Sequence, residues 1–453
     1  MNLTISSELG DEMSGRSVDS LIIANTEASF IKTGNWNFLS HLTHLKQLSF
    51  YNNNITNISD FKSMYTKNLS VLETLTIARN KLTFFPVEKF IMLKSLKYLA
   101  LYCNQLQTLG EREWSLPLLE TLHLNINQIT RVSEGQLKGL TSLKKLYLNN
   151  NRITYFSLKF FDSVPNLQYV NLSRNSLFCF SEYNVLHTSL FSINLESNFF
   201  ETLNPVSFAG FKSLEFILMS NNLITHPPNT TQDVNVTTTI RLSFRRNKIE
   251  ALSPLFFDNF PNMHSVAVTN NRISRIADNT FRGVVNLVSL DMEYNEIHTI
   301  PANLFRHLHQ LSFIGLAHNR INILEPDIFT RLSKQVDLIL YHNPIICNCS
   351  AVPLLRWLNK ATMSRADHPR CWSPKSLRNQ AIHLAELSNN CSDHETIKDS
   401  SLVITADTNP IIPTTPLVLT IKSRLILKLI GVGLGIGSLW YCINYINVVL
   451  GRD

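Results

Sequence analysis

Apolar residues along this chain fall in short alternating clusters, and each cluster ends on the same polar residue. In "LSFIGLAHNRINIL", from Leu311 to Leu324, the apolar set is Leu311, Ile314, Leu316, Ile321 and Leu324, and Asn319 sits among them. Alternation over so few residues predicts a strand with one buried face. An amide at a core position is costly unless the fold supplies partners for its donors and acceptor. The same arrangement returns with its Asn at 53, 80, 104, 127, 151, 175, 198, 222, 247, 271, 295, 319 and 343, at steps of 23 to 25 residues after a first step of 27.

The repeating unit reads Leu-x-x-Leu-x-Leu-x-x-Asn-x-Leu. Leu143, Leu146, Leu148, Asn151 and Ile153 fit it, as do Leu287, Leu290, Met292, Asn295 and Ile297. Val18, Leu21, Ile23 and Thr26 form a degraded copy ahead of the first. A second mark lies ten residues after the Asn, at Phe161, Phe208, Phe257, Phe281, Phe305 and Phe329, with Leu137 in the same place after Asn127. The unit after Asn222 breaks the rule with Gln232, and its "HPPNTTQDVNVTTTI" is expected to loop outward. One such unit cannot bury its apolar face alone, so neighbours must stack into a continuous core.

The pattern resembles the leucine-rich repeat family from about Val18 to Asn343. The resemblance implies an α/β solenoid, a horseshoe whose parallel sheet lines the concave face, with about 14 repeats. It also implies that each repeated Asn bonds backbone groups of its own and adjacent repeats, so that Asn319 is structural. The repeats are read as residues 18–343, preceded by an N-terminal segment, 1–17, that is expected to lack upstream sequence. It has no apolar core and no small-residue cleavage site of a secretory leader.

Seven cysteines are unevenly placed, and Cys347, Cys349, Cys371 and Cys391 follow the last repeated Asn. Four cysteines allow three pairings. A zinc site is disfavoured, because Cys-x-Cys is closer than the usual ligand spacing. Trp357 with Leu354, Leu355 and Leu358 predicts a short helix. Residues 344–392 are similar to the C-terminal cysteine-rich cap of extracellular leucine-rich repeat proteins, and this resemblance implies Cys347–Cys371 and Cys349–Cys391. No matching cap precedes the first repeat. Cys103 and Cys179, about three repeats apart, are too distant to pair with each other and are read as free thiols, with a link from one of them to another chain as the alternative.

Beyond the cap, residues 393–428 read as a stalk and juxtamembrane stretch. Residues 429–450, "LIGVGLGIGSLWYCINYINVVL", carry no charge over 22 residues. At a helical rise that is roughly 33 Å, enough to span a bilayer, and only residues 451–453 follow. Gly431, Gly433, Gly435 and Gly437 give two overlapping Gly-x-x-x-Gly pairs, which can bring two helices together as a homodimer. Lys422, Arg424 and Lys428 before the span favour the opposite orientation to an external N-terminal side. Nine Asn-x-Ser/Thr sequons, at Asn2, Asn54, Asn57, Asn68, Asn171, Asn229, Asn235, Asn348 and Asn390, favour a secretory route.

Strand side chains alternate, so residues between the core leucines face the concave side, the usual binding face of the family. Two patches emerge there. One is aromatic, Tyr98, Tyr102, His123, Tyr147 and Tyr169, suited to a protein hot spot. The other is charged, Arg241, Arg245 and Arg246 with Asp291, Glu293 and Tyr294. A glycan on Asn171 would obstruct the middle of this face. The net charge of +7 permits polyanions without requiring them, so nucleic acid is not the expected partner. No catalytic motif, cofactor motif or metal motif occurs, and the close pairs His41/His44 and His307/His309 read as solvated. The chain looks similar to the ectodomains of Toll-like receptors, Slit and the lymphocyte receptors of jawless fishes. It is read as a single-pass plasma-membrane protein with external repeats that binds a protein ligand as receptor, co-receptor or adhesion molecule, and not as an enzyme. The alternatives are a secreted matrix or scaffold protein and an innate-immune pattern-recognition or decoy receptor.

Overall fold

The computed structural model describes residues 18–25, 39, 41–58, 69–110, 112–180, 185–226, 234–324, 328, 336–358 and 369–382. The stalk, the 429–450 segment, Cys391, Phe329 and the sequons at Asn2, Asn68, Asn229 and Asn390 lie outside the described residues, as do Thr26 and Gln232. Among the described residues no helix is long and apolar enough to cross a membrane.

Fourteen strands form one sheet whose order follows the chain, from Ser20–Ala24 through to Asp337–Ile339, every neighbour pair parallel and in register. The degraded first copy is a full member, with Ile23 opposite Phe50. In every strand the inward-alternating positions are buried apolar residues, as at Leu21 and Ile23, Leu99, Leu146, Val170, Leu242 and Leu290, and most of the positions between them face outward. The marks ten residues after the Asn, Phe161, Phe208, Phe257, Phe281, Phe305 and Leu137, all join the same continuous core.

The asparagine ladder pairs as expected. Asn319 Oδ1 accepts from the Ile297 amide at 3.1 Å, and its Nδ2 donates to Met292 O in the preceding repeat and to Leu316 O in its own, both at 3.0 Å. Asn104, Asn198 and Asn271 repeat this geometry. The residue just before each ladder asparagine has positive φ, from Asn52 at 57° to His342 at 55°. That left-handed step turns the chain out of the strand and aims the Asn inward. Asn occupies it in several repeats because its short polar side chain tolerates the conformation. Ile126 holds it at φ 56° and is 47% exposed, a β-branched residue where such residues rarely occur.

The return segments differ from the α/β expectation. They carry two-residue strands and short 3₁₀ turns, such as Leu158–Ser163 and Pro205–Phe208. The α-helix among the described residues is Val352–Leu358, in the cap. A repeat of about 24 residues spends half its length on strand and turn. The remainder must recross the core, and a 3₁₀ or extended path covers more distance per residue than an α-helix.

The cap contains the implied Cys347–Cys371 disulfide. Cys349 is also disulfide-bonded. Cys103 is free, but Cys179 is disulfide-bonded, which corrects its reading as a free thiol.

His187 replaces the expected apolar residue in one return segment and is 3% exposed. Its Nε2 lies 3.0 Å from Val164 O and its Nδ1 accepts from the Leu190 amide at 3.1 Å, an arrangement that fixes the neutral Nε2–H tautomer. Burial lowers its pKa below the ordinary histidine value, with Val164 O and Asp162 opposing. The unfolded chain therefore binds this proton first, and stability is lost as pH falls through and below about 6.5. Unfolding midpoints should drop between pH 7.5 and pH 5.5. His187→Leu should flatten that slope, by one proton at most, even though it also loses the two hydrogen bonds. An unchanged slope would remove His187 as the titrating group.

Candidate functional site

The aromatic residues identified from the sequence form one contiguous strip on the outward face of the sheet. In-register pairing places them: Tyr98 neighbours Thr121, Ala100 neighbours His123, His123 neighbours Tyr147, and Lys145 neighbours Tyr169. His123 and Tyr147 stack at 4.2 Å with planes 4° apart. Tyr98 lies 5.2 Å and Tyr102 6.3 Å from His123, and Tyr169 lies 5.4 Å from Tyr147. The strip continues toward the N-terminal end, where the Arg79 guanidinium sits 5.5 Å over the Tyr51 ring. All five predicted members are half-buried, each ring covered by its neighbours and still open to solvent.

Burial raises the phenol pKa of Tyr98, Tyr102 and Tyr169, with neighbouring tyrosines adding to the effect. Burial also lowers His123, against a hydrogen bond with Asn125. The strip is therefore neutral at physiological pH. The five rings offer apolar surface with hydroxyls at the rim and the Arg79 and Lys145 charges at its edge, a composition suited to protein contact. Asn171 borders it, half-buried beside Tyr147, its Oδ1 accepting from Ser173 N at 3.0 Å and Ser173 Oγ at 2.7 Å. Asn54, Asn57, Asn235 and Asn348 are exposed.

The charged set does not assemble as one patch. Arg245 reaches across an intervening strand to Asp291 at 3.0 Å, with Glu293 beside it. Arg241 lies instead 5.5 Å over the Phe216 ring. Arg246 and Tyr294 occupy the left-handed position before a ladder asparagine, which takes them off the strand. Tyr294 joins a different cluster: it stacks on His318 at 4.1 Å, and His318 stacks on His342 at 4.4 Å. Strand alternation does not single out His318 and His342. Their signal lies elsewhere, since each immediately precedes a ladder Asn, one repeat apart. Alternation also passes over Phe216 and Leu218, apolar residues at both outward positions of one strand, and Phe191, 4.9 Å from Phe216. His41, His44, His307 and His309 are exposed, and no group of three metal-ligating side chains occurs among the described residues.

The family model for the leucine rich repeat matches residues 70–125, 117–177 and 261–321. Those segments of the chain carry leucine rich repeats. Lumican of Coturnix japonica is 28% identical over 224 residues, 49% of this chain and 63% of lumican. Lumican of Gallus gallus matches over 44% of this chain and 57% of its own length, also at 28% identity. The match thus spans less than two thirds of these relatives. Among solved structures, a chain of the mouse RP105/MD-1 complex superposes with a TM-score of 0.61 at 18% identity, over 86% of this chain and 61% of the other. A leucine-rich repeat protein of Leptospira interrogans gives 0.57 at 21% identity, over 80% and 93%. At such identities the structural likeness speaks to the leucine-rich repeat fold alone.

Proposed function

We propose that this leucine-rich repeat chain is the binding portion of a cell-surface protein, and that a protein ligand docks on the Tyr98–Tyr169 strip. The observation that carries the reading is the unbroken contact of five outward-facing rings on four adjacent strands. Rings held by a rigid sheet lose little conformational entropy on binding, so their area converts efficiently into affinity. Phe216, Leu218 and Phe191 extend apolar surface beyond Asn171, so a ligand larger than the strip could follow the same face. Disulfides at Cys347, Cys349 and Cys179 and exposed sequons support an oxidising, secretory route. The uncharged 429–450 segment supports anchoring, with receptor, co-receptor and adhesion roles all served by the same face. The solved RP105/MD-1 pair is a complex that includes a chain of this fold.

The test is a binding screen of the full chain against a panel of secreted proteins and ectodomains, coupled to surface biotinylation of expressing cells. A ligand is expected whose affinity falls at least about 30-fold in His123→Ala/Tyr147→Ala, about 2 kcal/mol, with the fold intact. A ligand indifferent to that double variant would move the contact elsewhere. Chain recovered only in the medium would replace the anchored form with a secreted one.

A further inference from the structure

We propose that the C-terminal part of the same sheet face is a second contact surface, a recess that takes an arginine side chain from a protein partner. It rests on the protein-binding reading above but on different residues. Its floor is Gly315, paired in register with Asp291 on one side and Ile339 on the other. A Cβ on Gly315 would lie 2.8 Å from Asp291 Oδ1 and 3.0 Å from Glu293 Cγ, so the two acidic side chains lean over space that any other residue would fill. The neighbouring outward position, Ala317, is small and buried.

The wall beside this floor is aromatic. Tyr294, His318 and His342 form a continuous stack, with planes 10° apart in the first pair and 30° in the second, and Tyr341 meets His318 edge-on at 5.5 Å. A guanidinium stacks on such rings and forks onto carboxylates, which an ammonium cannot do in the same geometry.

Charge selects the occupant. The outward positions of the last four strands and their following turns carry Asp291, Glu293 and Asp337 and no Lys or Arg of their own, on a chain whose net charge is +7. Arg245 enters from the preceding repeat and satisfies Asp291. Glu293 has no ion-pair partner within 4 Å among the described residues. Burial, and then the Asp291 charge, raises the Glu293 carboxyl pKa against the pull of Arg245, so Arg245 compensates its ionised form only in part. A local acidic recess on a basic protein is complementary to a cationic side chain and repels acidic ones.

The test titrates the purified full chain with acetyl-Gly-Gly-Arg-Gly-Gly-amide and with its citrulline counterpart, which keeps the shape and loses the charge. Calorimetry at low salt should show the arginine peptide binding in the millimolar range and the citrulline peptide at least about ten-fold weaker. Glu293→Gln and Gly315→Val should each weaken the arginine peptide at least about five-fold, the first by charge and the second by displacing the two carboxylates that lie over the glycine. Tyr147→Ala, in the other patch, should leave it unchanged. Equal binding of citrulline, no binding of arginine, or full binding in both Glu293→Gln and Gly315→Val would overturn the recess. None of these outcomes touches the Tyr98–Tyr169 strip, which stands or falls on its own ligand.

Discussion

Replacing Asn198 with leucine should destabilise the solenoid by about 4 kcal/mol, despite putting an apolar residue at a core position. The side chain is 5% exposed and ties four backbone groups together, the weakest contact being Nδ2 to Glu196 O at 3.3 Å. Its Oδ1 accepts from Leu177 N, and its Nδ2 donates to Leu172 O and Leu195 O, each at 3.0 Å. Leucine would leave one buried donor without an acceptor and two buried carbonyls short of a donor, each worth about 1–3 kcal/mol when water cannot replace the partner. Leucine's transfer gain, about 2 kcal/mol at best, offsets only part of this. Urea unfolding read by circular dichroism gives the number. Hydrogen exchange should locate the weakening in the repeats on either side, because each repeat contacts only its neighbours. A cost under about 1 kcal/mol would mean the ladder is not a principal source of stability. Asn221 is the internal contrast: it sits outside the core at φ 56°, donates to the Ser197 hydroxyl at 3.0 Å on the exposed side, and should lose only about 1 kcal/mol on change to alanine.

Those two asparagines also mark what the sequence makes legible. Asn222 follows Asn221 directly, yet only Asn222 belongs to a column that is Asn in every repeat from 53 to 343, and only Asn222 is buried. Repetition separates a structural amide from a tolerated one, so the skeleton from Leu21 to Asn343 is readable from residue order alone. The return segments are not, because their apolar residues satisfy a helix or a 3₁₀ turn equally well until the space available decides. The free-thiol reading of Cys179 fails for a related reason: distance along the solenoid rules out Cys103 as its partner but says nothing of others.

The outward face of the sheet is legible in part. Strand alternation places Tyr98, His123, Tyr147 and Tyr169 correctly because all lie within the three-residue strands. It fails for Arg246 and Tyr294, which lie past the strand at the left-handed step, where the alternation rule no longer applies. Taken as a column of its own, that step brings Tyr294, His318 and His342 together by repeat spacing. Arg241 is a different case. Its position is as expected, but its guanidinium lies over the Phe216 ring, and pair preferences of that kind depend on side-chain geometry.

Gly210→Ala should cost more than about 3 kcal/mol, although the change adds one carbon to a residue of ordinary backbone conformation. An added Cβ would coincide with the Val185 carbonyl, a backbone atom that no side-chain rotation can move aside. Here two return segments run close together: His187 N donates to Gly210 O at 3.2 Å and Lys212 N to His187 O at 2.9 Å. Separating them would break both bonds and lift the His187 ring from Phe161 and Phe211, 5.7 and 6.0 Å away between ring centres. Gly135→Ala supplies the control. Gly135 has φ 82° with nothing within 4 Å of the added carbon, so its cost is conformational only, about 1–2 kcal/mol. If denaturant unfolding gives Gly210→Ala no larger a loss than Gly135→Ala, close backbone approach does not hold these repeats together. If the loss is larger, the spacing on the return side also fixes how Tyr169, Ser192 and Phe216 line up on the opposite face. A ligand that spans the strip and the Phe216 surface should then bind more weakly to Gly210→Ala, although that residue touches neither.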